Sequence, residues 1–297
     1  MTHGGQSMVA TLGRVLVCPP SVAGWGDPAR AAAAAALGYP SPPSVAAATA
    51  EHDALRRVLV DTGADVVDLP PAPDHGLDAV YTHDASFMTD RGAVILRMGK
   101  PARRGEPARH AAFYQAAGIP ILGAIDAPGT VEGGDLVWID AATVLAGRGY
   151  RTNGDGIDHL RALLAPAGIE VAAAPLPHFR GPESCLHLMS LLSMIDDATA
   201  LVDPAWLAVP TLELLRDRGI GLIAIDETER DALACNVLAL GDRRLLAMEG
   251  SPATHARLRA AGFEVRTFPG RELGRNGGGG PTCLTRPIRR GAAALRA

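Results

Sequence analysis

The chain has 297 residues, 47% apolar and 20% charged, a balance that suits a folded globular protein with a sizeable core. Its 28 lysines and arginines face 32 aspartates and glutamates, a formal net charge of -4, so it lacks the basic field that draws nucleic acid or an anionic membrane. Four cysteines with no CxxC spacing exclude a disulfide-dense framework, and with no basic-then-apolar leader and no apolar run long enough to span a bilayer the expected setting is cytoplasmic.

In chain order, RVLVCPP reads as a first strand. A Gly-, Pro- and Ala-rich stretch over about residues 20–43, including Trp25, reads as a loop or lid with one short helix. A helix from about Ser44 carries Leu55, Val58 and Leu59 toward the core and ends at Gly63, where a strand, ADVVDLP, follows. The plan then repeats as hairpin, helix, glycine and strand. SFMT and AVILRM flank Asp90-Arg91-Gly92, DLVWI and TVLAG flank Asp140-Ala141-Ala142, LMSLLSMI and ALVD flank Asp196-Asp197, and NVLAL and RLLAM flank Gly241-Asp242. Asn153 or Asp155 starts one helix, and Ser251-Pro252 starts another as an N-cap followed by proline. A last strand, CLTRPI, is expected to pair with the N-terminal one and close a ring, so no internal domain boundary is drawn within 1–297.

The helix-ending glycines Gly63, Gly118, Gly168, Gly219 and Gly262 recur at spacings of 55, 50, 51 and 43 residues, the mark of a repeat array. Counting on 14 to 21 residues from each reaches Asp84, Glu132, His187, Cys235-Asn236 and Cys283. In a closed array comparable positions converge on one axis, which assembles two carboxylates, an imidazole and a thiol. Each has a plainer reading: Cys283 as a buried thiol beside the Gly277–Gly280 loop, His187 as a satisfied histidine on an apolar strand, and Glu132-Gly133-Gly134-Asp135 as a solvated turn. The functional reading makes Cys283 a nucleophile, His187 its proton carrier and Glu132 an orienting or cation-binding carboxylate, with Asp84 and Asp78 aimed at the centre. No HxH, HExxH, GxGxxG or Walker A pattern supports a metal or nucleotide, so no cofactor is expected.

With those residues in view, seven ordered motifs resemble the guanidino-group-modifying, or pentein, superfamily: LDAVYTHDASF, LRMGKPARRGE, VEGGD, GYRTN, LHLMSLLSM, ACN and GGPTC. Within it the chain looks most like the dimethylarginine dimethylaminohydrolases. The resemblance implies a five-module α/β propeller with pseudo-fivefold symmetry. It also implies a cysteine hydrolase of an arginine-like guanidino amino acid, giving a citrulline-like product and an amine or ammonia. On the matching positions it implies Cys283 as nucleophile, His187 as acid then base, and Glu132 as support for the imidazolium or the substrate. Asp84 with Asp78 would hold the guanidinium, Arg97 and Arg151 the α-carboxylate, and Asp135 and His83 complete the substrate-site set. His83 stands where the dimethylarginine hydrolases carry glutamate. Met189 stands where arginine deiminases carry aspartate, which counts against that activity. The alternatives are an amidinotransferase or arginine deiminase and, further off, a non-catalytic five-module binding protein. A homodimer is the default expectation for assembly.

Overall fold

In the computed structural model, which describes residues 3–73 and 75–291, all five punctuating glycines are left-handed, with φ of 88°, 66°, 71°, 73° and 85° from Gly63 to Gly262. Each ends a helical segment and turns the chain into a strand, at the backbone conformation that costs glycine least. The expected 1–297 unit thus has residues 1–2, 74 and 292–297 outside the description.

The first module contains β1 (Leu12–Val17), α1 (Pro28–Ala32), α2 (Val45–Asp61) and β2 (Asp65–Asp68). The second has β3 (Ser86–Thr89), β4 (Gly92–Ile95), α3 (Glu106–Ala116) and β5 (Ile121–Ala124). The third has β6 (Leu136–Asp140), β7 (Thr143–Arg148), α4 (Gly154–Leu164) and β8 (Glu170–Pro175). The fourth has β9 (Leu192–Asp196), β10 (Thr199–Val202), α5 (Val209–Asp217) and β11 (Gly221–Ala224). The fifth has β12 (Leu238–Gly241), β13 (Arg244–Met248), α6 (Pro252–Ala260) and β14 (Glu264–Phe268), and the chain continues into β15 (Arg286–Arg290).

Five three-stranded mixed sheets result, each with its middle strand paired antiparallel to one neighbour and parallel to the other. The first sheet, ordered β15-β1-β2, takes its antiparallel strand from the far end of the chain, so the ring is closed by pairing between the two ends. Strands β3 and β12 are buried throughout, and β9 lies against both β6 and β12. The outer strands β2, β5, β8, β11 and β14 are partly exposed instead. Apolar side chains form four clusters rather than one core, mostly at module junctions. In α4, Ile157, Leu160 and Leu164 are buried at helical spacing, and truncating Leu160 to alanine is expected to cost about 2–5 kcal/mol.

Three local expectations are corrected. His187 is not on a strand: it precedes the 3-10 turn Leu188–Ser190, and β9 begins only at Leu192. The apolar run LHLMSLL hides this turn from a periodicity reading. Cys283 is not at a strand start either, because a turn separates it from β15. Ser44 and Asn153 cap α2 and α4 through their side chains, at 3.3 Å to Ala47 N and 2.8 Å to Gly156 N, whereas Ser251 makes no capping bond. Among the described residues no helix is long and apolar enough to cross a membrane.

Candidate active site

A cavity of about 350 Å³ is lined by residues from all parts of the chain, among them Cys283, His187, Asp84, Asp78 and Arg151. Four glycines bring the Cys283 loop into it. A Cβ on Gly277 would lie 1.8 Å from Tyr81 Oη, one on Gly279 would lie 2.4 Å from the Tyr81 ring, and one on Gly280 would lie 2.5 Å from the Asn236 amide. Close backbone approach therefore explains three of the four, while Gly278 has open space around it and is left-handed, with φ of 88°. Asn236 holds the Cys283 turn at two points: its Nδ2 donates to Cys283 Sγ at 3.1 Å, and its Oδ1 accepts from Thr282 N at 3.1 Å.

His187 is set by two buried carboxylates. Its Nε2 lies 2.7 Å from Glu132 Oε2 and its Nδ1 4.0 Å from Asp84 Oδ1. Glu132 is wholly buried; its Oε1 accepts from Lys100 N at 2.9 Å, and Arg151 reaches Oε2 at 3.4 Å. Asp84 accepts from Gly134 N at 3.0 Å and from Arg103 Nη1 at 2.6 Å. Asp135 stands behind the site, accepting from Leu188 N at 2.9 Å and from the Thr152 hydroxyl at 2.6 Å, while Thr152 Oγ1 accepts from Glu132 N at 3.1 Å. It thus braces both His187 and Glu132.

Burial works against every charge here; pairing outweighs it at His187, Glu132 and Asp84 but not at Asp135 or Cys283. Burial disfavours the imidazolium of His187, yet Cys185, Asp84 and Asp135 hold its pKa well above the ordinary value. Burial raises Glu132, but the hydrogen bond and charge of His187 outweigh this and leave it below its ordinary value. Asp84 is likewise lowered, His187 and Arg103 overcoming burial. Asp135 is pushed up to about 6, chiefly by burial. Cys283 is pushed up to about 11 by burial, with Asp84 adding to the rise and His187 opposing it. The resting site is then a neutral thiol beside an imidazolium flanked by two carboxylates.

Of the residues expected from sequence, Cys283, His187, Asp84, Asp78 and Arg151 line the cavity, with Glu132 and Asp135 directly behind His187. Two of the expected residues lie elsewhere. Arg97 does not line the cavity: its guanidinium bonds Gly129 O at 3.1 Å. His83 is buried outside it, its Nδ1 2.8 Å from Thr285 O, its carbonyl bonded to Arg286 and its pKa well below normal, mainly through burial. Asp78 does line the cavity, but its oxygens are engaged by Tyr39 Oη at 3.1 Å and Lys100 Nζ at 2.6 Å. Sequence reasoning missed Arg103, Lys100 and Cys185, and it reached Asn236 by counting without giving it a role. Arg103, Lys100 and Asn236 lie inside quoted motifs. Cys185 lines the cavity with its Sγ 3.6 Å from His187 Nδ1, and no motif marks it. Asp84, Glu132 and His187 also offer ligand atoms within 4.8 Å of one another, close enough to share a metal ion. The direct 2.7 Å contact between Glu132 and His187 already satisfies both groups as a hydrogen-bonded ion pair.

The chain matches the family described as Arginine deiminase over residues 77–218 and 205–290. It is 32% identical over 248 residues to an uncharacterised protein of Aeropyrum pernix, covering 81% of this chain and 84% of that one. To the N(G),N(G)-dimethylarginine dimethylaminohydrolase of Streptomyces coelicolor it is 30% identical over 214 residues, 72% of this chain and 76% of the relative. The solved dimethylarginine dimethylaminohydrolase of Pseudomonas aeruginosa complexed with citrulline superposes with a TM-score of 0.74 at 24% identity, covering 93% and 98% of the two chains. The N-terminal domain of a cyanobacterial arginine dihydrolase, bound to product, gives 0.78 at 22% identity over 94% and 98%. Both likenesses concern the fold: five three-stranded mixed sheets.

Proposed function

Because the chain belongs to the arginine deiminase family, within the guanidino-modifying pentein superfamily, we propose that it hydrolyses the guanidino group of a small arginine-like compound through a covalent intermediate on Cys283. The observation that carries this reading is the arrangement in one cavity of a thiol, an imidazole clamped by buried Glu132, and the Asp84 carboxylate beside that imidazole.

In the resting site the thiol is neutral, so the substrate must help to ionise it. A guanidinium docked beside Cys283 favours the thiolate, whose proton leaves to solvent. The thiolate attacks the central guanidinium carbon. His187 then gives its Nδ1 proton to the departing nitrogen as the C–N bond breaks, leaving a thiouronium on Cys283. Neutral His187 next takes a proton from water, the hydroxide adds to the same carbon, and the C–S bond breaks to give a ureido product and the free thiolate. Glu132 stabilises the imidazolium that precedes the first proton transfer and that the second restores. Asp84 is poised to hold guanidinium nitrogens next to the thiol.

The test is ureido-product formation from arginine, monomethyl- and dimethylarginine, agmatine and ω-guanidino acids, with Cys283→Ser alongside. Turnover that disappears in the mutant supports the hydrolase. Turnover only when a second amine is supplied assigns a transferase, and turnover unaffected by the mutation removes Cys283 from the chemistry.

A further inference from the structure

Lys100 is the only lysine in a chain with 28 basic side chains, and it sits in the cavity just described. Its place is over-determined. The backbone N–H donates to Glu132 Oε1 at 2.9 Å, and the preceding Gly99 is packed so closely that a Cβ would lie 2.4 Å from Arg151 O. The stem leaves this fixed point and carries the ammonium to two acceptors, Asp78 Oδ2 at 2.6 Å and Leu37 O at 2.7 Å. Leu37 and Gly38 belong to the segment that also lines the cavity, so a buried carboxylate and a loop carbonyl converge on one compact cation.

Two acceptors converging on a single nitrogen suit a compact primary ammonium better than a planar guanidinium, which distinguishes this lysine from the arginines around it. Asp78 has no oxygen left unengaged, since Tyr39 Oη occupies Oδ1 at 3.1 Å. Asp84 is paired with Arg103. A ligand's own ammonium group entering this side of the cavity would face Lys100, its preferred carboxylate already neutralised. A ligand's carboxylate would instead meet the third N–H of Lys100 and the guanidinium groups of Arg151, Arg180 and Arg275, which line the same cavity.

We propose that Lys100 fills an ammonium cradle made by Asp78 and the Leu37 carbonyl, and so selects an ω-guanidino carboxylic acid without an α-ammonium group as substrate. This rests on the hydrolase reading above and narrows it: Lys100 stands where an amino acid's ammonium would otherwise be received, and it presents a positive charge to the acid.

The experiment compares kcat/KM for 4-guanidinobutyrate and 3-guanidinopropionate with that for arginine, in the full-length protein and in Lys100→Ala. The expected result is a preference of about tenfold or more for a guanidino acid in the unmutated protein. In Lys100→Ala the preference should reverse, because the emptied cradle accepts arginine's ammonium. The specificity ratio of the unmutated protein is decisive even if the variant folds poorly. A preference for arginine over both acids, or a ratio unmoved in folded Lys100→Ala, overturns the proposal. Labelling Cys283 with 2-chloroacetamidine separates the two levels. A labelled thiol with the wrong specificity refutes only the role of Lys100, whereas no labelling and no turnover of any guanidine refutes the hydrolase reading as well.

Discussion

Replacing Glu132 with glutamine changes one charge in a wholly buried position and leaves the shape intact. Glu132 Oε2 lies 2.7 Å from His187 Nε2. Two unit charges at that distance, in an effective dielectric of about 20, attract by about 6 kcal/mol. The amide keeps a hydrogen bond, and His187 can shed its proton instead of remaining uncompensated, so the stability loss near neutral pH is expected to be about 3 kcal/mol or less. The functional loss is larger, because a neutral imidazole has no proton for the departing nitrogen. A fall in kcat of about 100- to 10,000-fold follows if His187 is the general acid. The sign of the pH effect is also fixed. Glu132 favours the imidazolium, so its removal lowers the His187 pKa and moves the basic limb of the kcat profile toward lower pH. Steady-state kinetics across pH, with thermal unfolding as a control, tests this. A folded variant with kcat within about threefold of the parent and an unmoved basic limb would refute the role given to the Glu132–His187 pair.

Other outcomes follow from the same geometry. Asn236→Ala removes the donor at 3.1 Å from Cys283 Sγ and the acceptor for buried Thr282 N, and is expected to lower kcat by about tenfold, one hydrogen bond to a developing thiolate, and stability by about 1–3 kcal/mol, read by thermal unfolding. Gly134→Ala sets a methyl 2.5 Å from His187 Nδ1, so His187 must move away from its site, and turnover should fall by about 100-fold while the fold persists by circular dichroism. Alkylation of Cys283 by a neutral reagent, followed by peptide mass spectrometry in ligand-free protein, should keep accelerating beyond pH 9, since its thiol is raised to about 11. A plateau below pH 8 would show a thiolate already formed at rest.

The fold was legible because its punctuation is local. A glycine at positive φ after each helix needs no tertiary context to be recognised, and the closing pair β15–β1 followed from counting modules. Within the site, residues whose signal is position within the repeat were legible: Asp84, Glu132, His187 and Cys283. The sequence could not separate Arg97 from Arg103, six positions apart in one motif. Only the turn Pro101–Arg103 brings the second guanidinium to Asp84 and leaves the first on Gly129 O. His83 and Asp84 are neighbours facing opposite ways, a distinction that chain direction alone does not carry. The environment of Glu132 was hidden for another reason: a carboxylate after a surface-like Gly-Gly turn reads as solvated until Arg151, Lys100 N and His187 are seen to enclose it.

Covalent chemistry at Cys283 is tested most directly by intact-mass analysis of protein quenched with acid during turnover of its best guanidine substrate. An adduct with the mass of the thiouronium is expected, mapped to Cys283 and absent in Cys283→Ser. In His187→Gly, which lacks both the acid that lets the adduct form and the base that clears it, adduct and turnover should be lost together. Sustained turnover with no adduct, or an adduct on Cys185 with Cys283 unmodified, would contradict covalent chemistry at Cys283.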